Sequence, residues 1–307
     1  MDLKYAIVGV GGIGGYYGGK LAYNNKDVHF LLHSDYEYVK NFGLRIESIH
    51  GNFALPTPQI YQNADEMPPS DVIFVCLKTT QNNQLKKILQ PIIHKDSLVI
   101  LIQNGLGIEE DLQIEFPSLS IAGGLAFIGS SKVGPGHIHH QDQGALNIGS
   151  YSVKDKNRLI QVIADLKASG IAAHEIDLKV ARWKKLVWNI PYNGLSVVLD
   201  AKTDRLTSNP YSRELLKRMM HEVIEASRQM ELSEEIPENF AEFMIATTEK
   251  MSAYAPSMKL DYDFNRALEI DYIYTRPLIE AQKRGIQMPT VATIEQQLRF
   301  LTTSQKN

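Results

Sequence analysis

The strongest constraint on this chain is the run Gly9-Val10-Gly11-Gly12-Ile13-Gly14, which follows the short apolar segment 5–8 and precedes a helix-compatible stretch at 16–23. A GxGxxG spacing alone is a weak signal, because glycine-rich turns occur in many folds. Between a strand and a helix it acquires a mechanism. The first glycine permits the tight turn, the second leaves room for a pyrophosphate against the backbone, and the third lets helix and strand pack closely. The helix N-terminus adds unpaired N–H groups and a partial positive charge facing the phosphates. Residues Gly9, Val10, Gly11, Gly12, Ile13 and Gly14 are therefore expected to line a dinucleotide, at the start of a Rossmann-type βαβ unit.

The order of elements extends this reading. Apolar runs at 28–32, 72–77 and 98–102 do not alternate with polar residues, as strands covered on both faces should not, and helix-compatible sequence such as 84–93 lies between them. Alternation begins at 136–149, predicting antiparallel strands at the sheet edge, and 171–176 reads as a last strand. After Asp177 the pattern becomes helical at 179–198, 212–231, 236–254, 264–284 and 288–301, with breakers at Asn209-Pro210, Pro237, Ala255-Pro256 and Gly285. The expected fold class is α/β, an N-terminal Rossmann-type doubly wound sheet (1–176) followed by an all-helical domain (177–307). At 307 residues, two cores are reasonable.

Composition removes several function classes. Thirty-two Lys and Arg against thirty-five Asp and Glu give a net charge of −3, without the basic excess that releases counterions from nucleic acid. No apolar run approaches the roughly 20 residues that span a bilayer, and the N-terminus lacks a secretory pattern, so a cytoplasmic protein without membrane or nucleic-acid partners is expected. The one cysteine, Cys76, sits in an apolar run and reads as a small buried hydrophobe. His137, His139 and His140 lack a matching acid cluster and read as surface histidines, so no metal is expected.

Selection between cofactors should occur at the end of the second strand, where an acid would bind the ribose 2′-hydroxyl of NAD. His33-Ser34 stands there, with Asp35 close enough to keep NADH open. His33, Ser34 and Lys78, the last from the next strand end, could instead receive a 2′-phosphate, which favours NADPH. Lys78 and Gln103-Asn104-Gly105 both follow predicted parallel strands, where doubly wound sheets bind ligands; Asn104-Gly105 reads equally well as a turn.

In the helical half, Lys185, Asn189 and Asn193 fall at i, i+4 and i+8 among apolar and aromatic neighbours, one face of a helix that Pro191 should loosen. Buried polar groups need partners, and a small acid would supply them; a solvated stripe is the alternative. On residue physics alone, Ser257 reads as a helix cap and Glu269 as a surface acid.

Taken together, GVGGIGG, CLKTTQ, QNGLG, WKKLVWNIPYNGLS, and APSMKLD followed by LEIDY closely resemble the ketopantoate reductase family (2-dehydropantoate 2-reductase), in order and over essentially the whole chain. The resemblance implies NADPH-dependent reduction of 2-dehydropantoate to (R)-pantoate, toward pantothenate and coenzyme A, in a cleft between the two domains. It further implies that Lys185 donates the proton, that Asn104, Asn189, Asn193 and Ser257 contact substrate, and that Asn104 lies near the nicotinamide. Glu269 would order the ternary complex beside cofactor and lysine, and Asp261 matches an acidic position of the same motif. One departure is His33, where many relatives carry an arginine.

Independent chemistry points the same way, because hydride arrival at a ketone leaves an alkoxide that requires a nearby acid or cation. The implied partner is a small 2-oxo acid, and a homodimer stays open. Two alternatives share these features: a related 2-oxo or 3-hydroxy acid dehydrogenase, and a dinucleotide-sensing protein without turnover.

Overall fold

The computed structural model describes residues 2–304 and divides the chain into two compact units. One runs to Gln103 and again from Ile108 to Leu178; the other comprises Asn104–Gly107 and the chain from Lys179 onward. The sequence expectation had one crossing, after residue 176. The short Asn104–Gly107 excursion arises because Leu106 N donates to Tyr272 O at 2.9 Å, and Gly105, at φ +109°, lies against the same peptide. A Cβ on Gly105 would stand 2.5 Å from Tyr272 O.

The first unit is built on a nine-stranded sheet. Its strands are β1 (Lys4–Val8), β2 (Asp27–Leu31), β3 (Leu44–Ser48), β4 (Phe53–Leu55), β5 (Gln59–Tyr61), β6 (Val72–Val75), β7 (Leu98–Leu101), β8 (Ser120–Gly134) and β9 (His137–Ser150). They lie in the order β4-β3-β9-β8-β7-β6-β1-β2-β5. From β5 to β8 every neighbour pair is parallel, and the four central strands are buried apolar runs, as a sheet covered on both faces demands. The chain steps from β1 to β2 on one side and returns to β6 on the other, so the order reverses beside β1, where ligands of such sheets bind. Helices α1 (Gly12–Tyr23), α2 (Tyr36–Phe42), α3 (Leu85–Leu89), α4 (Ile108–Glu115) and α5 (Lys156–Ala168) complete the unit.

Two expectations are corrected here. The alternating segment 136–149 is one long strand, β9, and it is internal: β8 flanks it antiparallel, β3 flanks it in parallel, and β4 forms that edge. The alternation reports one exposed face, which is a different property from an edge. Residues 171–176 form no strand; they run beside β9 with a single bridge, Ile148 to Glu175, and a few backbone bonds such as Leu146 N to Ala172 O at 2.9 Å. The short strands β3, β4 and β5 were not anticipated. Helix α1 packs on β1 and β2 and also on β3, β4, β8 and β9. One helix can touch strands so far apart in the order only if the sheet curls round it.

The second unit is helical: α6 (Leu178–Val198, starting at the unit boundary), α7 (Thr203–Ser208), α8 (Pro210–Arg228), α9 (Phe240–Glu249), α10 (Ser257–Asp263), α11 (Arg276–Lys283) and α12 (Pro289–Ser304). Asn209 caps α8, its side chain accepting from Tyr211 N and Ser212 N, with Pro210 in the first turn. Glu222 of α8 caps α12 through Thr290 N and Val291 N. The helix expected at 264–284 is broken. Asn265 takes a left-handed φ of +53°, Arg266 N donates to Asp261 O and Asn265 N to Tyr262 O, which ends α10 in a Schellman pattern. Helical structure resumes at Ile270 and passes through one π-helical turn, Asp271–Thr275, before α11. No helix among the described residues is long and apolar enough to cross a membrane.

Candidate functional site

In the sheet unit, the glycine loop has the geometry that a pyrophosphate requires. Gly9 has φ +95°, a conformation other residues rarely adopt, and a Cβ on Gly14 would stand 2.1 Å from Gly9 O. These two glycines are demanded by the protein's own packing. Gly11 differs: a Cβ there meets nothing within 4 Å. The space beside it at the N-terminus of α1 is open, and no side chain caps that helix. An anion fits this cradle because it would meet N–H groups and no Cβ.

The remaining cofactor candidates lie at nearby strand ends. His33 is exposed in the bend after β2, and Lys78 is half-buried just past β6. Asp35, which kept NADH open at the sequence level, is committed elsewhere. It is buried and accepts from Lys132 Nζ at 2.8 Å, Gly136 N at 3.0 Å and Ser34 Oγ at 2.9 Å. Burial opposes its ionisation, but these donors outweigh it and hold the carboxyl below its usual range.

In the helical unit, α6 carries the polar stripe. It runs through Pro191 as one element, with the Tyr274 hydroxyl donating to Ile190 O at 2.7 Å on its flank, so the expected loosening does not end the helix. Asn189 and Asn193 are buried and Lys185 is half-buried, which excludes a solvated stripe. Asn193 Oδ1 accepts from Met258 N at 3.1 Å and so caps α10. With its oxygen accepting, the amide still carries two N–H donors. Ser257, expected as a cap, is instead the exposed first residue of α10, after Pro256. Trp188, stacked on Tyr192 and donating to Thr248 Oγ1 at 2.9 Å, fixes the helix from its other side.

Glu269 overturns its reading as a surface acid: it is only 6% exposed, between buried Leu268 and Ile270 at the start of the interrupted helix. It acts electrostatically on Lys185, 84 positions earlier in the chain. Burial pushes the Lys185 ammonium down to about 7; Arg182, one turn earlier on α6, pushes the same way, and Glu269 opposes both. A lysine so poised can give or take a proton near neutral pH. Asn104, half-buried, belongs to the same unit through the Tyr272 contact. The helical unit thus brings Lys185, Glu269, Asn189, Asn193, Ser257 and Asn104 into one body, and the glycine loop, His33 and Lys78 belong to the other.

Sequence reading missed Arg182, which is buried and electrostatically coupled to Lys185; its i, i+3 spacing to the lysine was the available signal. It also missed the partnership of Asp35 with Lys132, which no local pattern announces. His140 is not a surface histidine. It is fully buried, with Nδ1 2.8 Å from Ser48 Oγ, because β3 pairs alongside β9 there. Cys76 is partly buried against the core, and burial raises its thiol pKa. No group of three or more His, Cys, Asp or Glu among the described residues is arranged to hold a metal ion.

Residues 5–152 match the family model described as ketopantoate reductase PanE/ApbA, and residues 177–302 match its C-terminal counterpart. A 2-dehydropantoate 2-reductase from Nostoc sp. is 46% identical over 98% of this chain and 95% of its own length. The crystal structure of a 2-dehydropantoate 2-reductase from Geobacter metallireducens superposes with a TM-score of 0.93 at 36% identity, covering 98% of this chain and 99% of the other. One from Methylococcus capsulatus gives 0.90 at 28% identity, covering 99% and 98%.

Proposed function

We infer that this chain, which belongs to the ketopantoate reductase PanE/ApbA family, is an oxidoreductase that reduces 2-dehydropantoate to (R)-pantoate, a step toward pantothenate and coenzyme A. The sheet unit is the dinucleotide-binding domain and the helical unit the substrate-binding domain. A nicotinamide dinucleotide, when bound, supplies the hydride. The open space beside Gly11 and the uncapped N-terminus of α1 support its pyrophosphate being held by Gly9–Gly14. NADPH is the preferred form, since Asp35 is engaged by three donors and exposed His33, with Lys78 at the next strand end, lies where the ribose would be met.

Lys185 is the proton donor. As negative charge develops on the substrate's carbonyl oxygen, the ammonium stabilises it and passes its proton, leaving a neutral amine that burial already favours. Glu269 keeps enough positive character on that amine for it to begin as an ammonium and helps order the assembled site. Asn189, Asn193 and Asn104 orient the acid through their amides, and Ser257 reaches it from the start of α10. The single observation carrying this reading is that half-buried Lys185 and buried Glu269 belong to one unit and act on each other electrostatically.

Steady-state kinetics across a panel of 2-oxo acids, each with NADPH and NADH, test it. Ketopantoate with NADPH should exceed its nearest competitor in kcat/KM by at least about tenfold, the discrimination a shaped pocket provides. A larger kcat/KM for another 2-oxo acid would reassign the substrate.

A further inference from the structure

We propose that the outer end of β8, Ser130 to Lys132, forms a third wall of the dinucleotide site, and that Lys132 makes the chain favour a 2′-phosphate over a bare 2′-hydroxyl. This rests on the dinucleotide reading above and is independent of which acid is reduced.

Three observations place β8 there. Ser130 Oγ donates to Gly12 O at 2.9 Å, and a Cβ on Gly12 would stand 2.4 Å from Ser130 O, so this strand lies directly on the glycine loop. Two residues further on, Lys132 Nζ is 2.8 Å from Asp35 Oδ1, at the turn after β2. The pairing of β8 with β9 shifts register on both sides of this stretch, between Gly129 and Ser130 and between Lys132 and Gly134. Bulges re-aim side chains, and two of them bracket the three residues that reach the loop and the turn.

The charge arrangement sets the preference. Asp35 is the acid that could have met a 2′-hydroxyl, but its side chain is 7% exposed and its oxygens are taken by Lys132, Gly136 N and Ser34. Lys132 is 37% exposed, and His33 and Ser34, which precede Asp35 in the chain, are exposed as well. A buried anion behind a cation at the rim leaves a positive face toward solvent, which attracts a phosphate and gives a neutral ribose no acid. Lys132 thereby supplies from β8 a cation at the turn that carries His33 and Ser34.

Isothermal titration of the full chain with NADP+ and NAD+ tests this without turnover. Lys132→Met should weaken NADP+ by at least about tenfold, the effect of losing one charge-assisted bond, and lower the NADP+ to NAD+ affinity ratio accordingly. It should also flatten the salt dependence of NADP+ binding. Lys132→Arg should restore most of the ratio, and Asp35→Asn, which releases Lys132, should raise it. An affinity ratio within about twofold of wild type in Lys132→Met, or equal loss for both nucleotides, overturns the proposal. Wild-type protein that binds neither nucleotide overturns this and the dinucleotide reading together. Tight NADP+ binding without 2-oxo acid reduction would sink the reaction alone.

Discussion

The glycine loop of the sheet unit and the Lys185 stripe of the helical unit use the chain in opposite ways. The loop, as proposed, would recognise its ligand with backbone, and its glycines answer steric demands: Gly14 lies against Gly9 O, Gly12 against Ser130 O, and Gly11 leaves open space. The stripe works with side chains whose chemistry is set by distant residues: Glu269 reaches Lys185 across a folded domain, and Asn193 is occupied by Met258. A site made of backbone is tested by adding atoms, and a site made of tuned side chains is tested by changing charge.

The largest effect should come from the stripe. Lys185→Ala is expected to lower kcat for ketopantoate reduction by roughly 10²–10⁴, the range for removing a general acid, while NADP+ binding measured by titration changes little. Equal losses in both would mean that the lysine organises the fold and not the proton transfer.

The loop offers a comparison within itself. Gly14→Ala drives a Cβ into Gly9 O and should cost several degrees of melting temperature as well as nucleotide affinity. Gly11→Ala meets no protein atom, so its melting curve should overlay wild type while NADP+ affinity falls by about tenfold or more. If Gly11→Ala binds normally, the open space beside it is not the pyrophosphate site.

Charge tuning should appear in pH profiles. With Lys185 as the proposed proton donor, kcat/KM should hold below about 7 and fall above it, and the reverse oxidation should rise over the same range. Glu269 raises the lysine's pKa, so Glu269→Gln should move that limb to lower pH, with a loss of up to about tenfold for each unit moved. A limb that stays in place would separate the two residues.

The smallest effect concerns stability. Because the folded-state pKa of Lys185 lies below its ordinary value, the unfolded chain holds a proton that the folded chain lacks between about 7 and the usual lysine range. Stability therefore rises with pH through that window, and the desolvation penalty is complete below it. Lys185→Met should melt a few degrees higher than wild type at pH 6, with the gain shrinking as pH rises. Equal gains at pH 6 and pH 10 would argue against a depressed pKa.

The same contrast explains how much could be read in advance. The parallel strands β1, β2, β6 and β7 were legible because a strand covered on both faces needs an unbroken apolar run, a local property. The short strands β3, β4 and β5 were not, since short segments gain their order from the neighbours they pair with. The break after α10 also escaped the periodicity, because one left-handed Asn265 redirects a chain whose apolar pattern continues. Among site residues, Lys185, Asn189 and Asn193 announced themselves by spacing on one helix. Glu269 stood out only through the resemblance, and by its own physics it looked like a surface acid.

What the sequence by itself determined was the glycine loop between strand and helix, the division into a sheet half and a helical half, and the stripe on α6. Each depends on residues within a few positions of one another, where sterics and helical periodicity act directly. Tertiary structure alone decided that Glu269 would be buried within electrostatic reach of a lysine, that Asp35 would be held by Lys132, and that β9 would lie inside the sheet. Burial and long-range pairing govern those outcomes, because a charged group takes its character from whatever folding brings next to it.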